Sequence, residues 1–394
     1  MPRVVLVLPT STYRAGDFVT AAASLGVDVV VAADEVTPLL GDRAVALELS
    51  GSSAADAIAD LDARLPVDAV VGVDDASVVA AAWAAERLGL PHNPVDAVEA
   101  TRDKRLLRRR LDEAEVAQPA WVAVGPEDDV AAAVRAVGAP AVIKPVGLNA
   151  STGVIRADSP ADAVAVAERV RRIAGDASAP LLVEAFVPGP EVAVEGLLRG
   201  GVLEPLAVFD KPDALDGPYF EETIYVTPSR HPTDEVLRVV AEACRAVGLT
   251  EGPVHAEARL SPAGVRVLEV AGRSIGGLCA RALRFGAGVS LEEVILRHAV
   301  GLPIDDLRRE AAASGVMMLP IRESGTLVAV RGQEEALAVP GIVGLEITIA
   351  RGRPVVALPE GDRYLGFLFA RGETLDDVEA ALREAHGRLE VVIA

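Results

Sequence analysis

The sequence predicts an α/β protein that becomes α+β toward its C-terminal parts and opens on a doubly wound parallel sheet. Three observations carry this prediction. Over the first hundred residues, short β-branched runs alternate with Ala-rich amphipathic stretches, the pattern of parallel strands joined by crossover helices. Two β-hairpins are legible in the middle of the chain, and the last eighty residues, from about Gly315, read as several short strands with one helix over residues 375–385. Of the 394 residues 51% are hydrophobic but only 3% aromatic, so the core is built from Ala, Val and Leu. A chain this long and this apolar buries a sizeable core and is not disordered.

In chain order, strands are expected at residues 4–8, 28–32 and 69–73. Helices are expected at residues 17–25, 54–64 and 76–88, stopping near Gly26, Pro66 and Gly89. The turn after the first strand reads Pro9-Thr10-Ser11-Thr12-Tyr13. It lacks the Gly-x-Gly-x-x-Gly fingerprint, which argues against a nicotinamide-dependent dehydrogenase. A basic helix over residues 101–110 comes next, with Arg105, Arg108, Arg109 and Arg110 expected on a solvated face. A strand at 142–144, a Gly-containing loop, a helix at 160–174 and a strand at 181–184 follow. The first hairpin runs from residues 191–198 through Arg199-Gly200-Gly201 into 202–209. The second runs from 254–260 through Pro262-Ala263-Gly264 into 265–270.

Charge and cysteine content exclude several classes of function. A formal net charge of −20 argues against nucleic acid as the main partner, because phosphate-backbone binding needs a basic surface. Cys244 and Cys279, the two cysteines, cannot make a disulfide framework or a four-ligand zinc site. No uninterrupted apolar run reaches the length of a membrane span, and the apolar N-terminal run is too short for a signal peptide. A soluble, cytoplasmic protein is expected.

The second hairpin carries the most chemistry. With Pro262-Ala263-Gly264 as a three-residue turn, Ser261 faces Val265 and Glu257 faces Glu269. Two carboxylates opposite each other destabilise a ladder unless something positive lies between them. A hard divalent cation resolves the conflict; a register differing by one resolves it equally by separating the pair. Just beyond lies Arg273, in Glu269-Val270-Ala271-Gly272-Arg273-Ser274-Ile275-Gly276-Gly277. It reads either as a guanidinium for a phosphoryl group or substrate carboxylate, or as an ion pair beside a turn. Lys144 ends a strand and precedes the small-residue loop Pro145-Val146-Gly147-Leu148-Asn149-Ala150-Ser151-Thr152-Gly153-Val154. Such a loop can cradle phosphates on its backbone N–H groups, although it is not a Walker sequence.

Taken together these residues resemble the ATP-grasp superfamily, and within it the carboxylate–amine ligases that include bacterial L-amino acid ligases. The resemblance rests on the order and spacing of Leu88-Gly89-Leu90-Pro91-His92-Asn93-Pro94, Arg102-Asp103-Lys104, Ile143-Lys144-Pro145, Val183-Glu184-Ala185-Phe186-Val187-Pro188-Gly189-Pro190-Glu191, His255-Ala256-Glu257 and the 269–277 segment. It implies an N-terminal Rossmann-like domain over residues 1–100 and an ATP-grasp domain over 101–302, with lobes at about 101–187 and 188–302. A small C-terminal ligase-type domain over 303–394 completes the chain.

The resemblance also implies roles. Lys104 and Lys144 match the lysines on the nucleotide phosphates. Ser151 to Val154, with Gly153, match the mobile loop over them. Glu184, Phe186 and Val187 match the hinge at the adenine, and Glu191 the acid on the ribose. Glu257 and Glu269 match ligands of Mg²⁺ (or Mn²⁺), and Arg273 the arginine on the transferring phosphate. Many relatives carry Asn where this chain has Ala271, which leaves a third protein oxygen on the metal in question. The implied reaction is ATP-dependent joining of a carboxylate to an amine through an acyl phosphate, catalysed by Arg273, Glu269 and Ser151. A carboxylase or purine-pathway enzyme acting on bicarbonate or formate, and a non-catalytic ATP-binding protein, are the alternatives. The expected partners are small-molecule carboxylate and amine substrates and a second copy of the chain in a homodimer, with neither nucleic acid nor membrane.

Substrate residues are sought among scarce aromatics. Phe209, Tyr219, Phe220 and Tyr225 are four of eleven Phe and Tyr residues in the chain, and their clustering reads as a pocket wall or as a local core under a long loop. Tyr219, Phe220, Arg273, Gly276 and Gly277 are the substrate candidates.

Overall fold

The computed structural model describes residues 1–35, 43–49 and 51–394. Its first unit is a four-stranded parallel sheet in the order Ala44–Ala46, Asp28–Ala33, Arg3–Val7, Ala69–Gly72. The central strand is apolar at consecutive positions because both its faces are covered. Val4 and Leu6 pack with Phe18 and Ala21 of the helix Ala15–Leu25. Val5 and Val7 pack with Ile58 and Ala84 of the helices Ser53–Asp62 and Val78–Leu88 on the other side. The strands Arg3–Val7 and Ala69–Gly72 are neighbours whose following loops diverge. A crevice at their carboxyl ends is therefore the topological switch point where open α/β sheets bind ligands.

The expected basic helix is two helices. Val95–Arg102 ends at Asp103, whose extended backbone breaks the run and whose carboxylate accepts from the N–H groups of Arg105 and Leu106, capping Lys104–Glu113. Next comes a four-stranded antiparallel sheet in the order Trp121–Val124, Leu181–Ala185, Ala141–Pro145, Ile155–Ala157. The helices Val130–Val137 and Ala163–Ile173 bury Val134 and Val170 against it.

A larger antiparallel sheet of eight strands holds both hairpins. Its order is Gly264–Ala271, Gly252–Ser261, Glu191–Arg199, Val202–Lys211, Ile224–Thr227, Ala313–Leu319, Gly366–Gly372, Ile342–Ile347. Strands on either side of residue 303 thus share one sheet, through the pairing of Ile224–Thr227 with Ala313–Leu319. The strands Pro354–Val355, Gly325–Arg331 and Glu390–Ile393 form a small fourth sheet, and the helix Leu375–Gly387 packs Val378 and Leu382 into the C-terminal core. No helix among the described residues is long and apolar enough to cross a membrane.

Candidate active site

Two cavities meet where the sheets converge. The first, about 740 Å³ counting its open mouth, is walled by Lys104, Lys144, Glu184, Phe186, Phe220 and Leu268. The second, about 1330 Å³ on the same basis, takes Tyr13 and Asp75 from the switch-point loops, Arg273, Gly276 and Gly277 from beyond the second hairpin, and Tyr364 from the C-terminal tail. Asn149, Ala150, Ser151, Glu222, Glu257 and Glu269 line both. The N-terminal sheet therefore reaches the site through the crevice its strand order creates.

Glu257 does face Glu269, by a route different from the expected one. The turn is two residues, Pro262-Ala263, with Ser261 opposite Gly264. Continued evenly, that register would set Glu257 against Leu268. A β-bulge between Glu257 and Ala258 absorbs one extra residue and restores Glu257 opposite Glu269.

Positive charge meets one member of this pair, Glu257. The Lys211 ammonium is buried at 2.6 Å from Glu191 Oε1 and 2.9 Å from Glu257 Oε1, and also bonds Glu222. Burial opposes its charge, but the three carboxylates outweigh burial and hold its pKa well above the usual lysine value. Burial likewise opposes ionisation of Glu257, yet Lys211 and His255 hold its carboxyl well below the usual range. His255 is pushed up to about 9, burial working against this and Glu195 prevailing; its Nδ1 bonds Glu195 and its Nε2 lies 3.4 Å from Glu257 Oε1. Ala271 stands directly across the ladder from His255, so that position contributes no side-chain oxygen. The only group of three metal-capable side chains found among the described residues, Glu191, Glu222 and Glu257, surrounds the Lys211 ammonium.

The nucleotide-side candidates fall along the first cavity. Lys104 Nζ donates to Leu148 O at 2.5 Å, tying the helix start to the small-residue loop. Lys144 Nζ and Arg108 Nε each lie 2.7 Å from a different oxygen of Glu184. Burial would raise the Glu184 carboxyl, but these two cations hold it at about 2. Lys144 is pushed below the usual lysine value by burial, against the pull of Glu184. Glu191 spends one oxygen on Lys211 and the other on Arg259 Nε at 2.9 Å, while Arg259 also donates to Val187 O. Phe186 sits beneath the Arg259 and Arg156 guanidiniums, with its ring 6.4 Å from that of Phe220.

The loop after Lys144 is held from two sides by three hydrogen bonds. Asn149 Nδ2 donates to Asp75 Oδ2 at 3.1 Å, Thr152 Oγ1 to Gly361 O at 3.0 Å, and Gly153 N to Pro359 O at 2.8 Å. Ala150 and Ser151 adopt positive φ angles of 51° and 55°, a conformation non-glycine residues hold only under constraint. Arg273 Nη2 donates to Asp75 Oδ2 at 2.7 Å. Burial raises the Asp75 carboxyl, but Arg273 and Arg102 draw it well below the normal range. Both readings of Arg273 meet here, since it is in an ion pair and also lines the second cavity.

Two expectations need correcting. Arg108, expected in solvent with Arg105, Arg109 and Arg110, is 1% exposed; the helix carries it on the inward face four residues after Lys104. Tyr219 lines neither cavity. It turns outward, its hydroxyl accepting from Arg169 Nη1 at 2.6 Å and its ring lying under that guanidinium. Phe209 and Tyr225 are buried core residues, and Tyr225 also borders the second cavity. Arg108, Asp75, His255 and Arg259 were not singled out as site residues by sequence. Position after a switch-point strand could have flagged Asp75, and helical spacing from Lys104 could have flagged Arg108.

Models of three protein families match separate stretches: the ATP-grasp N-terminal domain at residues 19–92, the ATP-grasp domain at residues 137–282 and the L-amino acid ligase C-terminal domain 2 at residues 317–394. The chain thus carries an ATP-grasp domain at its centre. Among curated proteins, it is 29% identical over 217 residues to the alanine–anticapsin ligase of Bacillus subtilis, covering 49% of the chain and 45% of that ligase. It is 27% identical over 252 residues to the D-alanine–D-alanine ligase of Acidovorax ebreus (strain TPSY), covering 59% and 73%. The chain thus spans less than half the length of the first of these ligases. The crystal structure of the L-amino acid ligase from Bacillus licheniformis shares its ATP-grasp fold from end to end, with a TM-score of 0.82 at 24% identity over 100% of this chain and 99% of that one.

Proposed function

We propose that the chain is an ATP-dependent ligase that joins a carboxylate, an amino acid or related acid, to an amine through an acyl phosphate, releasing ADP and phosphate. The observation that carries this reading is the pairing of Glu257 with Glu269 at the junction of the two cavities. A nucleotide on one side and a carboxylate on the other would meet there.

The residues suit ATP and a hard cation. Glu257 and Glu269 offer oxygen donors from adjacent strands, as Mg²⁺ or Mn²⁺ prefers. When bound, the cation neutralises charge on the transferring phosphoryl group. Lys104 and Lys144 hold the phosphates, and Glu184 with the backbone of Phe186 and Val187 holds the adenine edge. Glu191 faces the ribose, oriented by Lys211 and Arg259. Arg273, fixed by Asp75, steadies the γ-phosphoryl group as a substrate carboxylate oxygen attacks it and ADP leaves. The amine then attacks the acyl carbon and phosphate departs. Positioning and charge neutralisation suffice for such a transfer, so no protein nucleophile is required. Ser151 and Gly153, in the loop clasped by residues 359–361, exclude water from the acyl phosphate.

The substrates lie in the second cavity beside Gly276 and Gly277; Phe220, the other aromatic candidate, stands on the wall of the first cavity. We assign residues 1–100, 101–302 and 303–394 to the N-terminal, ATP-grasp and C-terminal domains. A homodimer in the cytoplasm is the working form; the unpaired, buried Cys244 and Cys279 suit a reducing compartment, and sedimentation gives the mass. The reaction is tested by measuring ADP release over a matrix of amino acids and other carboxylates, with and without amines, and identifying products by mass spectrometry. Activity with bicarbonate or formate and no amine dependence would replace this reading.

A further inference from the structure

Arg108 is a charged, fully buried group beside the cleft that the proposed reaction leaves without a task. Its guanidinium bridges two elements that the fold brings together from opposite sides of the cleft. On one side, Nε donates to Glu184 Oε1 at 2.7 Å, and the second oxygen of Glu184 holds Lys144. On the other, Nη1 donates to Val267 O at 3.1 Å and Nη2 to Leu268 O at 2.6 Å. Gln118 Oε1 takes a further bond at 3.2 Å, while Gln118 Nε2 returns one to Arg108 O at 2.9 Å.

The position of those carbonyls matters. Val267 and Leu268 are the residues at which the hairpin departs from regular register, the bulge that places Glu269 opposite Glu257. An extra residue in a strand leaves backbone groups without ladder partners, and a buried carbonyl without a donor costs free energy. Arg108 supplies two donors there. Only a planar guanidinium offers several N–H groups in a fixed fork that can reach a carboxylate on one element and two carbonyls on another.

We infer that Arg108 is a positioning residue that couples the nucleotide end of the cleft to its metal-carboxylate hairpin, orienting Glu184 and Lys144 while fixing the bulge that presents Glu269. This inference rests on the ligase reading for the identity of the ligands. It goes beyond that reading in making nucleotide affinity and cation requirement depend on one side chain that touches neither.

The test uses the full chain and titration calorimetry with the non-hydrolysable β,γ-imido analogue of ATP over a series of MgCl₂ concentrations. Wild type should bind the analogue with an affinity that rises with Mg²⁺; no binding at any concentration would sink the ligase reading itself. Arg108→Met should weaken analogue binding at least tenfold and raise the half-saturating Mg²⁺ concentration, leaving the KM for the carboxylate substrate within a factor of two. Arg108→Lys, which can satisfy Glu184 but not both carbonyls, should recover most of the nucleotide affinity while retaining the raised Mg²⁺ requirement. In a Glu184→Gln background, Arg108→Met should cost much less nucleotide affinity than it does in wild type. Full additivity of the two substitutions, or an unchanged Mg²⁺ requirement in Arg108→Lys, overturns the inference. If Arg108→Met does not fold, the Arg108→Lys titration and its combination with Glu184→Gln decide the matter by the same criteria.

Discussion

Replacing Glu184 by Gln keeps the side chain's shape and one acceptor but removes a charge held between two buried cations. The pH dependence of the loss follows from linkage. A carboxyl at about 2 in the folded chain and near 4.5 when unfolded contributes about 3 kcal/mol at neutral pH. That figure agrees with the roughly 3–5 kcal/mol expected on breaking a buried ion pair. Because the folded pKa is the lower one, the contribution is complete above pH 4.5 and is lost as pH falls toward 2. Trp121 pairs directly with Glu184 across the sheet, so its fluorescence during urea denaturation reports on this lobe. Glu184→Gln should unfold earlier than wild type by about 3 kcal/mol at pH 7, and the gap should narrow by about 1 kcal/mol at pH 3.5. Equal midpoints at pH 7, or a gap that does not narrow on acidification, would refute the assignment of Glu184 as the buried counter-ion of Arg108 and Lys144.

Other substitutions probe the rest of the site. Glu269→Ala should abolish ADP release with the far-ultraviolet dichroism unchanged; surviving turnover would show that the metal assignment is wrong. Lys211→Met strips the charge from among Glu191, Glu222 and Glu257 and should destabilise the chain by at least about 3 kcal/mol, read as a lowered urea midpoint. Tyr219→Phe removes the hydroxyl that accepts from Arg169, outside both cavities, so the ranking of substrates should be the same as in wild type; a reordered ranking would place Tyr219 at the substrate after all. Chelation with EDTA should stop turnover, and Mg²⁺ or Mn²⁺ should restore it.

Much of the fold was legible because local patterns and tertiary packing agree. Residues 4–8, 28–32 and 69–73 were recognisable as strands from their apolar runs, and the matching strands are covered by helices on both sides. Glu257 and Glu269 were legible as a pair only because a shorter turn and a bulge cancel; spacing alone could not reveal the bulge, which depends on donors from Arg108 far away in sequence. The same distance hid Arg108 itself, since a charge run normally marks a solvated face and only the approach of Glu184 and the bulge carbonyls makes burial tolerable. Asp75 escaped because its partners, Arg102, Asn149 and Arg273, come from three separate segments. Tyr219 misled because scarcity of aromatics locates a cluster but not the direction each ring faces.

The claim that the chain forms an acyl phosphate is tested most directly by isotope transfer. Once a carboxylate substrate is found, it is supplied with both oxygens as ¹⁸O, together with ATP, Mg²⁺ and the amine, and the phosphate and nucleotide products are analysed by mass spectrometry. Attack of the carboxylate on the γ-phosphoryl group predicts ADP, an amide retaining one ¹⁸O and inorganic phosphate carrying the other. Phosphate free of ¹⁸O, or AMP and pyrophosphate in place of ADP and phosphate, would contradict it.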